Sequence, residues 1–324
     1  MVVISTGLPN CREGRLNPVG AVDPRWLREA TQAAEDLGYH SVWLNEFLTT
    51  DPATAANVEA TPGYYDPLTT IAYLSAHTTT IRFLPSVLVL PMHEPILLTR
   101  QLQALDALSA GRVALGVGLG GTADAYRSLR GSAAGGVNRG TMMSEYLAAV
   151  RLLWESPVAD FAGRYVQFEG VARTARPVQE RLPVYVAGGG DAMIERVAAH
   201  GDVWVDALET PERVAAVRER LAGAAPAVTV ARQFNVSIAG SSSAALENVR
   251  ASLPGARKLP VATGSGPAPN ANVFGTPDEV YEILVRYRDA GATEIAALFY
   301  SPTVESAVAQ MELFQREVTP RLAG

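Results

Sequence analysis

Four short stretches hold residue types that could do chemistry on a bound ligand. Asn45, Glu46 and Phe47 stand at the end of the apolar run Ser41 to Glu46, which reads as a β-strand with an amide, a carboxylate and a ring at its carboxyl end. By the period-two rule Asn45 and Glu46 cannot both point inward. Asn45 shares the face of Phe47 and is the favoured ligand contact, with Glu46 turned to the scaffold; both are candidate catalytic residues, since an amide can hold a ligand edge and a carboxylate can move a proton. Ser86 and Val87 lie inside Arg82 to Leu90, an apolar run without alternation that fits a strand covered on both faces. A serine there needs a distorted backbone or a polar neighbour; a hydrogen bond to a nearby carbonyl is the structural alternative. Gly116 lies near the end of the strand Val113 to Val117 and Gly118, Gly120 and Gly121 follow it, and Gly188, Gly189 and Gly190 follow the strand Val184 to Ala187. The triple glycine leads into DAMIERVAAHG, an amphipathic helix whose free amino-end N–H groups suit a phosphate, although a tight strand-to-helix turn also explains it. GVGLGG lacks the acid expected about 20 residues on in a dinucleotide fingerprint, which argues against that fold.

The elements that must position these groups alternate along the whole chain. Ile81 to Gly121 reads as strand, crossover helix and strand, the helix carrying apolar residues at Ile96, Leu97, Leu102, Leu105 and Leu108 and ending at Gly111. Further strands are predicted over Val2 to Leu8, Ser41 to Glu46, Val184 to Ala187, Val203 to Ala207, Val228 to Ile238 and Glu294 to Tyr300. Helices follow each: Asp23 to Leu37 with Asp23 as cap, Asp66 to Ala76, Thr141 to Trp154, Pro211 to Leu221, a helix opened by Thr276, Pro277 and Glu279, and Val304 to Val318. Eight strands alternating with helices favour an α/β protein of the (β/α)8 TIM-barrel type over an open sheet. The single domain 1–324 carries insertions near 48–65, 122–140, 157–181 and 241–275. The first reads as a lid or substrate wall; 124–140 is glycine-rich and expected to be irregular; 157–181 holds a hairpin outside the barrel.

Composition narrows the partners. A chain of 324 residues with 48% apolar and 19% charged residues can bury a large core and is not disordered. A net charge of -6 without a Lys/Arg cluster argues against nucleic acid or an anionic membrane as partner. One cysteine, Cys11, excludes an internal disulfide and a Cys-based zinc site. MVVISTGLP is too short for a signal segment and no run reaches membrane-spanning length, so a cytoplasmic protein is expected. None of the four histidines has metal-ligand spacing. His40, His77 and His200 lie at helix ends, where structure explains them; His93, in the turn after the third strand, is a candidate substrate contact.

SVLVLP followed by HEPILLTRQLQALDALSAGRVALGVGLG resembles the bacterial luciferase-like family of flavin- and deazaflavin (F420)-dependent oxidoreductases. AEDLGYHSVWLNE, NRGTMMSEYLAAVRLLW, YVQFEGV, RPVQERLPVYVAGGG and VFGTPDEVYEILVRYRDAGATEIAALF extend the resemblance over nearly the whole chain. It implies a TIM barrel holding the cofactor ring at the strand carboxyl ends. Ser86 and Val87 would lie where the family has a non-proline cis peptide behind the ring, with Gly118, Gly120 and Gly188 to Gly190 also cofactor-binding. The sequence looks most like the F420 branch: F420H2-dependent hydride transfer to an unsaturated or imine-type small molecule. Its alternatives are an FMN-dependent two-component monooxygenase with a separate reductase, and a non-catalytic flavin or small-molecule binder. A homodimer is expected. Phe47 stands where related sugar-phosphate dehydrogenases and several monooxygenases have histidine, and Gly121 and Asp51 replace a glutamate and a tryptophan of the dehydrogenases. Alcohol oxidation, which needs a base for the hydroxyl proton, is therefore not expected, and Phe47 is assigned to the substrate wall.

Overall fold

The computed structural model describes residues 2–49, 62–120, 123–206, 208–254 and 271–323. Eight barrel positions are filled in chain order by parallel strands. These are β1 (Val3–Gly7), β2 (Ser41–Leu44), the pair β3 (Arg82–Pro85) and β4 (Leu88–Val89), and β5 (Leu115–Gly118). After the antiparallel hairpin β6 (Val158–Ala162) and β7 (Gln167–Ala172), the ring continues with β8 (Val184–Ala187), β9 (Val203–Asp206) and β10 (Thr229–Ile238). The strand β11 (Asn272–Gly275) joins the edge of β10, and β12 (Glu294–Phe299) closes the order β3-β2-β1-β12-β10-β9-β8-β5-β4. A bridge from Phe83 to Val113 links β3 back toward β5. The result is a nearly closed parallel barrel of the TIM type.

Two expectations needed correction. Arg82 to Leu90 is not one strand: Pro85 offers no N–H to a ladder, and the run breaks at a cis peptide between Ser86 and Val87 before pairing resumes. Each half then bonds a different neighbour, β3 with β2 and β4 with β5. Residues 124–140 are not wholly irregular, because good helix formers before Gly131 make a helix, α4 in chain order, over Ala123–Arg130. The insertion expected near 241–275 holds β11 at its end, and 255–270 lie outside the described residues.

The helices cover the outside of the ring: α1 (Pro24–Asp36), α2 (Pro67–Ser75), α3 (Pro95–Leu108), α5 (Arg139–Glu155), α6 (Asp191–His200), α7 (Pro211–Ala224), α8 (Ser242–Ser252), α9 (Pro277–Asp289), α10 (Val304–Glu317) and the short α11 (Thr319–Ala323). Side-chain caps fix where they start: Asp23, Asp66, Glu94, Asn138, Thr210, Ser241, Thr276 and Thr303 each accept a first-turn N–H, worth about 1 kcal/mol apiece. One apolar cluster, with Ile71, Phe83, Leu115, Val184, Trp204 and Phe314, fills the layer between strands and helices. A second, with Trp43, Leu84, Ala231, Ala296 and Leu298, fills the barrel itself. No helix among the described residues is long and apolar enough to cross a membrane.

Candidate active site

Two cavities open beyond the carboxyl ends of the strands and share one wall, made by Asn45, Ser86 and Val87. The larger, about 380 Å³, is walled by residues 45–49, Val89, Met92 and Leu119 and, on its other side, by Tyr126, Leu129 and Arg139. The smaller, about 260 Å³, lies against Gly188 and Gly189 and the segment carrying Asp206 and Glu209.

The shared wall is held by a relay of amides. Asn45 donates through Nδ2 to the Ser86 carbonyl and accepts at Oδ1 from Arg12 Nε at 2.7 Å. Asn10 grips the Asn45 backbone from both sides, Oδ1 accepting its N–H at 3.0 Å and Nδ2 donating to its carbonyl at 2.8 Å. Burial, and after it the charge of Arg15, pushes the Arg12 guanidinium down to about 10, so it remains a cation at neutral pH. Each polar atom of the Asn45 side chain is thus engaged by protein. Strand β2 ends at Leu44, so the period-two argument stops one residue short: Asn45, Glu46 and Phe47 all reach the larger cavity.

Glu46 lines that cavity but directs its carboxylate at the scaffold. Oε2 accepts the Val89 N–H at 2.6 Å and Oε1 lies 2.9 Å from His93 Nε2. His93 therefore braces Glu46 and is not part of either cavity wall. Phe47 packs on Tyr64 with ring centroids 5.6 Å apart, and the Arg15 guanidinium sits 4.3 Å over its ring. Glu13, buried, accepts the N–H of Val22 at 2.7 Å and of Gly63 at 2.6 Å, which ties down the described end of the expected lid. Residues 50–61, with Asp51, lie outside the described residues, as does Gly121.

The glycines divide into two kinds. A Cβ on Gly116 would lie 2.0 Å from the Pro85 carbonyl oxygen, and one on Gly118 would lie 2.7 Å from Val87 Cγ2. These two let the 85–87 segment approach β5, so Gly118 supports the shared wall from behind, while Gly120 faces the larger cavity. The Gly188–Gly190 turn is different. Gly188 and Gly190 have φ of 136° and 84°, values that side chains resist, and a Cβ on Gly190 would meet nothing within 4 Å. Gly190 caps α6 with no side chain bonded to its first N–H groups.

Several residues were not singled out from sequence. Arg12 and Asn10 belong to the long connection after β1, where polar residues beyond a barrel strand were a usable signal. Asp206, the last residue of β9, accepts the N–H of Leu208 and of Glu209 at Oδ1, both at 3.1 Å, and its Oδ2 lies 3.0 Å from Arg232 Nε inside the barrel. Arg139 donates to the Leu119 carbonyl at 3.1 Å from the wall of the larger cavity. Cys11 is buried, and burial pushes its thiol up to about 11, which leaves it a poor nucleophile.

A family model described as luciferase-like monooxygenase matches residues 8–294. The uncharacterized protein Rv0953c of Mycobacterium tuberculosis is 36% identical over 141 residues, 43% of this chain and 49% of that one, so the match spans about half the length of that relative. The F420-dependent tetrahydromethanopterin reductase of Methanopyrus kandleri superposes with a TM-score of 0.74 at 18% identity, covering 99% of both chains. The oxygenating constituent of 3,6-diketocamphane monooxygenase of Pseudomonas putida, solved with FMN, gives 0.73 at 18% identity, covering 99% of this chain and 98% of that one. At that identity the two structures establish a shared fold, and between them they use both cofactors.

Proposed function

The chain belongs to the luciferase-like monooxygenase family, and from that premise we propose that it is an F420H2-dependent oxidoreductase acting on an unsaturated or imine-type small organic substrate. The observation that carries the reading is the wall shared by an apolar cavity and a glycine-lined one. A flat redox ring needs a rigid backbone surface, a phosphate seat on one side and a dry chamber on the other. Asn45, Ser86 and Val87 supply the surface, Gly188 and Gly189 with the helix start at Gly190 the seat, and Phe47, Leu48, Val89 and Leu119 the chamber. Both cavity volumes are of the order of small-molecule sites. When bound, F420H2 supplies a hydride to the substrate.

The protein's own contribution is orientation and exclusion of water. Arg12 and Asn10 fix Asn45, which fixes the Ser86 carbonyl; Gly118 allows Val87 to stand against β5; the amides of the glycine turn bind the phosphate, and Gly120 lets the chain pass close to the ligand. Glu46, engaged by Val89 and His93, positions the strand that carries Val89 rather than moving a proton. Phe47 fills a position where a base would be needed to oxidise an alcohol, which favours reduction of the substrate. A cytoplasmic homodimer completes the proposal: Leu97 and Leu108 on α3 are 58% and 70% exposed and eleven residues apart, on one helix face, where a second copy would cover them.

The apolar lining equally favours a second reading, an FMN-dependent monooxygenase supplied by a separate reductase, because a dry chamber protects activated oxygen. Mixing the protein with F420H2 and a cyclic enone or cyclic imine under argon tests the first reading through recovery of F420 fluorescence. Turnover requiring both oxygen and reduced FMN would replace it with the second, and cofactor binding without turnover with any acceptor would leave a non-catalytic binder.

A further inference from the structure

An acid from the segment after β9 faces the glycine turn. Glu209 Oε1 stands 3.1 Å from the point where a Cβ of Gly189 would lie, on the wall of the smaller cavity. The segment that presents it is fixed: Asp206 Oδ1 accepts the Glu209 N–H at 3.1 Å, and Tyr287 donates its hydroxyl to the Glu209 carbonyl at 3.1 Å. Yet the Glu209 carboxylate itself takes no hydrogen bond or ion pair from any described residue. The other charges nearby are compensated. Asp191, the first residue of α6, pairs with Arg220 at 2.6 Å, and Asp206 lies against Arg232.

We propose that Glu209 selects the cofactor by charge, disfavouring a terminal phosphomonoester and tolerating a phosphodiester at the Gly188–Gly190 turn. The proposal rests on the reading that this turn seats the cofactor phosphate. FMN ends in a monoester carrying roughly two negative charges at neutral pH, by analogy with phosphorylated side chains. The phosphate of F420 is a diester with one ionisable oxygen and one charge. The backbone N–H groups and the dipole of α6 attract both, so the discriminating quantity is the extra charge of FMN against the uncompensated carboxylate. A unit charge a few ångström from another in a partly buried site changes affinity by at least about tenfold. Replacing Glu209 by glutamine removes the charge and no described contact.

Dissociation constants of F420, FMN and riboflavin, which has the ring but no phosphate, are measured by fluorescence titration on the wild type and on Glu209→Gln, with melting temperature as the folding control. The expected result is an FMN affinity that rises about a hundredfold in the variant, an F420 affinity that rises about tenfold, and an unchanged riboflavin affinity. Equal changes for FMN and F420, or no change for either while both bind, would overturn the charge selection and leave the proposed function standing. If the wild type binds riboflavin as tightly as FMN and F420, the phosphate seat itself is wrong. Failure of all three to bind the wild type removes the proposed function and this proposal with it.

Discussion

The two ends of the barrel are both rich in polar groups and use them in opposite ways. At the amino end they are turned toward each other. Glu294, the first residue of β12, is 4% exposed and accepts from the Ser5 hydroxyl at 2.5 Å and from the Tyr185 hydroxyl at 3.0 Å, with Ser41 beside them bonded to Ser5 and to the Trp43 indole. Burial, and then the Glu294 charge, raises the Tyr185 phenol far above its ordinary value, so it stays a donor. Arg112, just before β5, donates to Ser109, Thr78, Ile81 and Ser75 and ties the ends of two helices together. At the carboxyl end the shared wall is equally well bonded, but the glycine turn and Glu209 face the cavity. A buried polar group with all its partners contributes stability and order; one left facing a cavity is available to a ligand. The comparison predicts that changes at the amino end lower the melting temperature and leave cofactor affinity alone, and that changes at the glycine turn do the reverse.

The largest effect is expected for Glu294→Ala. It leaves the buried hydroxyls of Ser5 and Tyr185 without their acceptor, a loss of roughly 3 kcal/mol or more. Denaturant unfolding should show it, with F420 affinity of the folded fraction unchanged; a stable variant with weakened cofactor binding would break the division between the two ends. Next comes Gly189→Asp, which places a second carboxylate at the turn beside Glu209. F420 affinity should fall about a hundredfold by like-charge repulsion, while riboflavin affinity and melting temperature stay near wild type. Unchanged F420 affinity would remove the turn from the site.

Arg12→Met probes the wall between these extremes. It removes the donor to Asn45 Oδ1 and lets the amide that holds the Ser86 carbonyl rotate. Binding of the ring alone, measured with riboflavin, should weaken about tenfold, the worth of one charge-assisted hydrogen bond. Arg12→Lys, which keeps a charged donor, should recover part of it. Equal losses in both variants would make Arg12 a packing residue rather than one that positions the wall.

Much of the barrel was legible because strands buried on both faces and capped helices write themselves in composition: Asp23 with Pro24, Asp66 with Pro67 and Thr276 with Glu279 mark helix starts in one dimension. Ser86 within an apolar run was readable as an anomaly for the same reason. What sequence could not convey is which partner each polar side chain would find. Asn45 looked like a free ligand contact and Glu46 like a scaffold group without a named partner, yet Arg12, 33 residues away, and His93, 47 residues away, engage them. The glycines in and after β5 looked like ligand contacts too, and the space next to Gly116 is taken by Pro85 of a neighbouring strand. Such contacts depend on closure of the ring, and local pattern carries no trace of them.

The smallest effect sharpens the amino end. Glu35, near the end of α1, accepts through Oε1 from the amides of Thr79, Thr80 and Ile81 and from the Thr80 hydroxyl, at 2.8, 2.5, 3.0 and 2.9 Å, fixing the turn that leads into β3. Burial alone would raise this carboxyl, but the four donors outweigh it and hold it down to about 2, against its ordinary 4.5. A group depressed in the folded state contributes stability that is complete above its unfolded value and disappears as pH falls through the folded one. Glu35→Gln should therefore be less stable than wild type at pH 7, by under about 1 kcal/mol because the carboxylate is partly open to solvent screening. The gap should close between about pH 4.5 and 2. Melting curves of the pair across that range check it: a gap independent of pH would mean that the shape of the turn, and not the charge at its centre, is what Glu35 supplies.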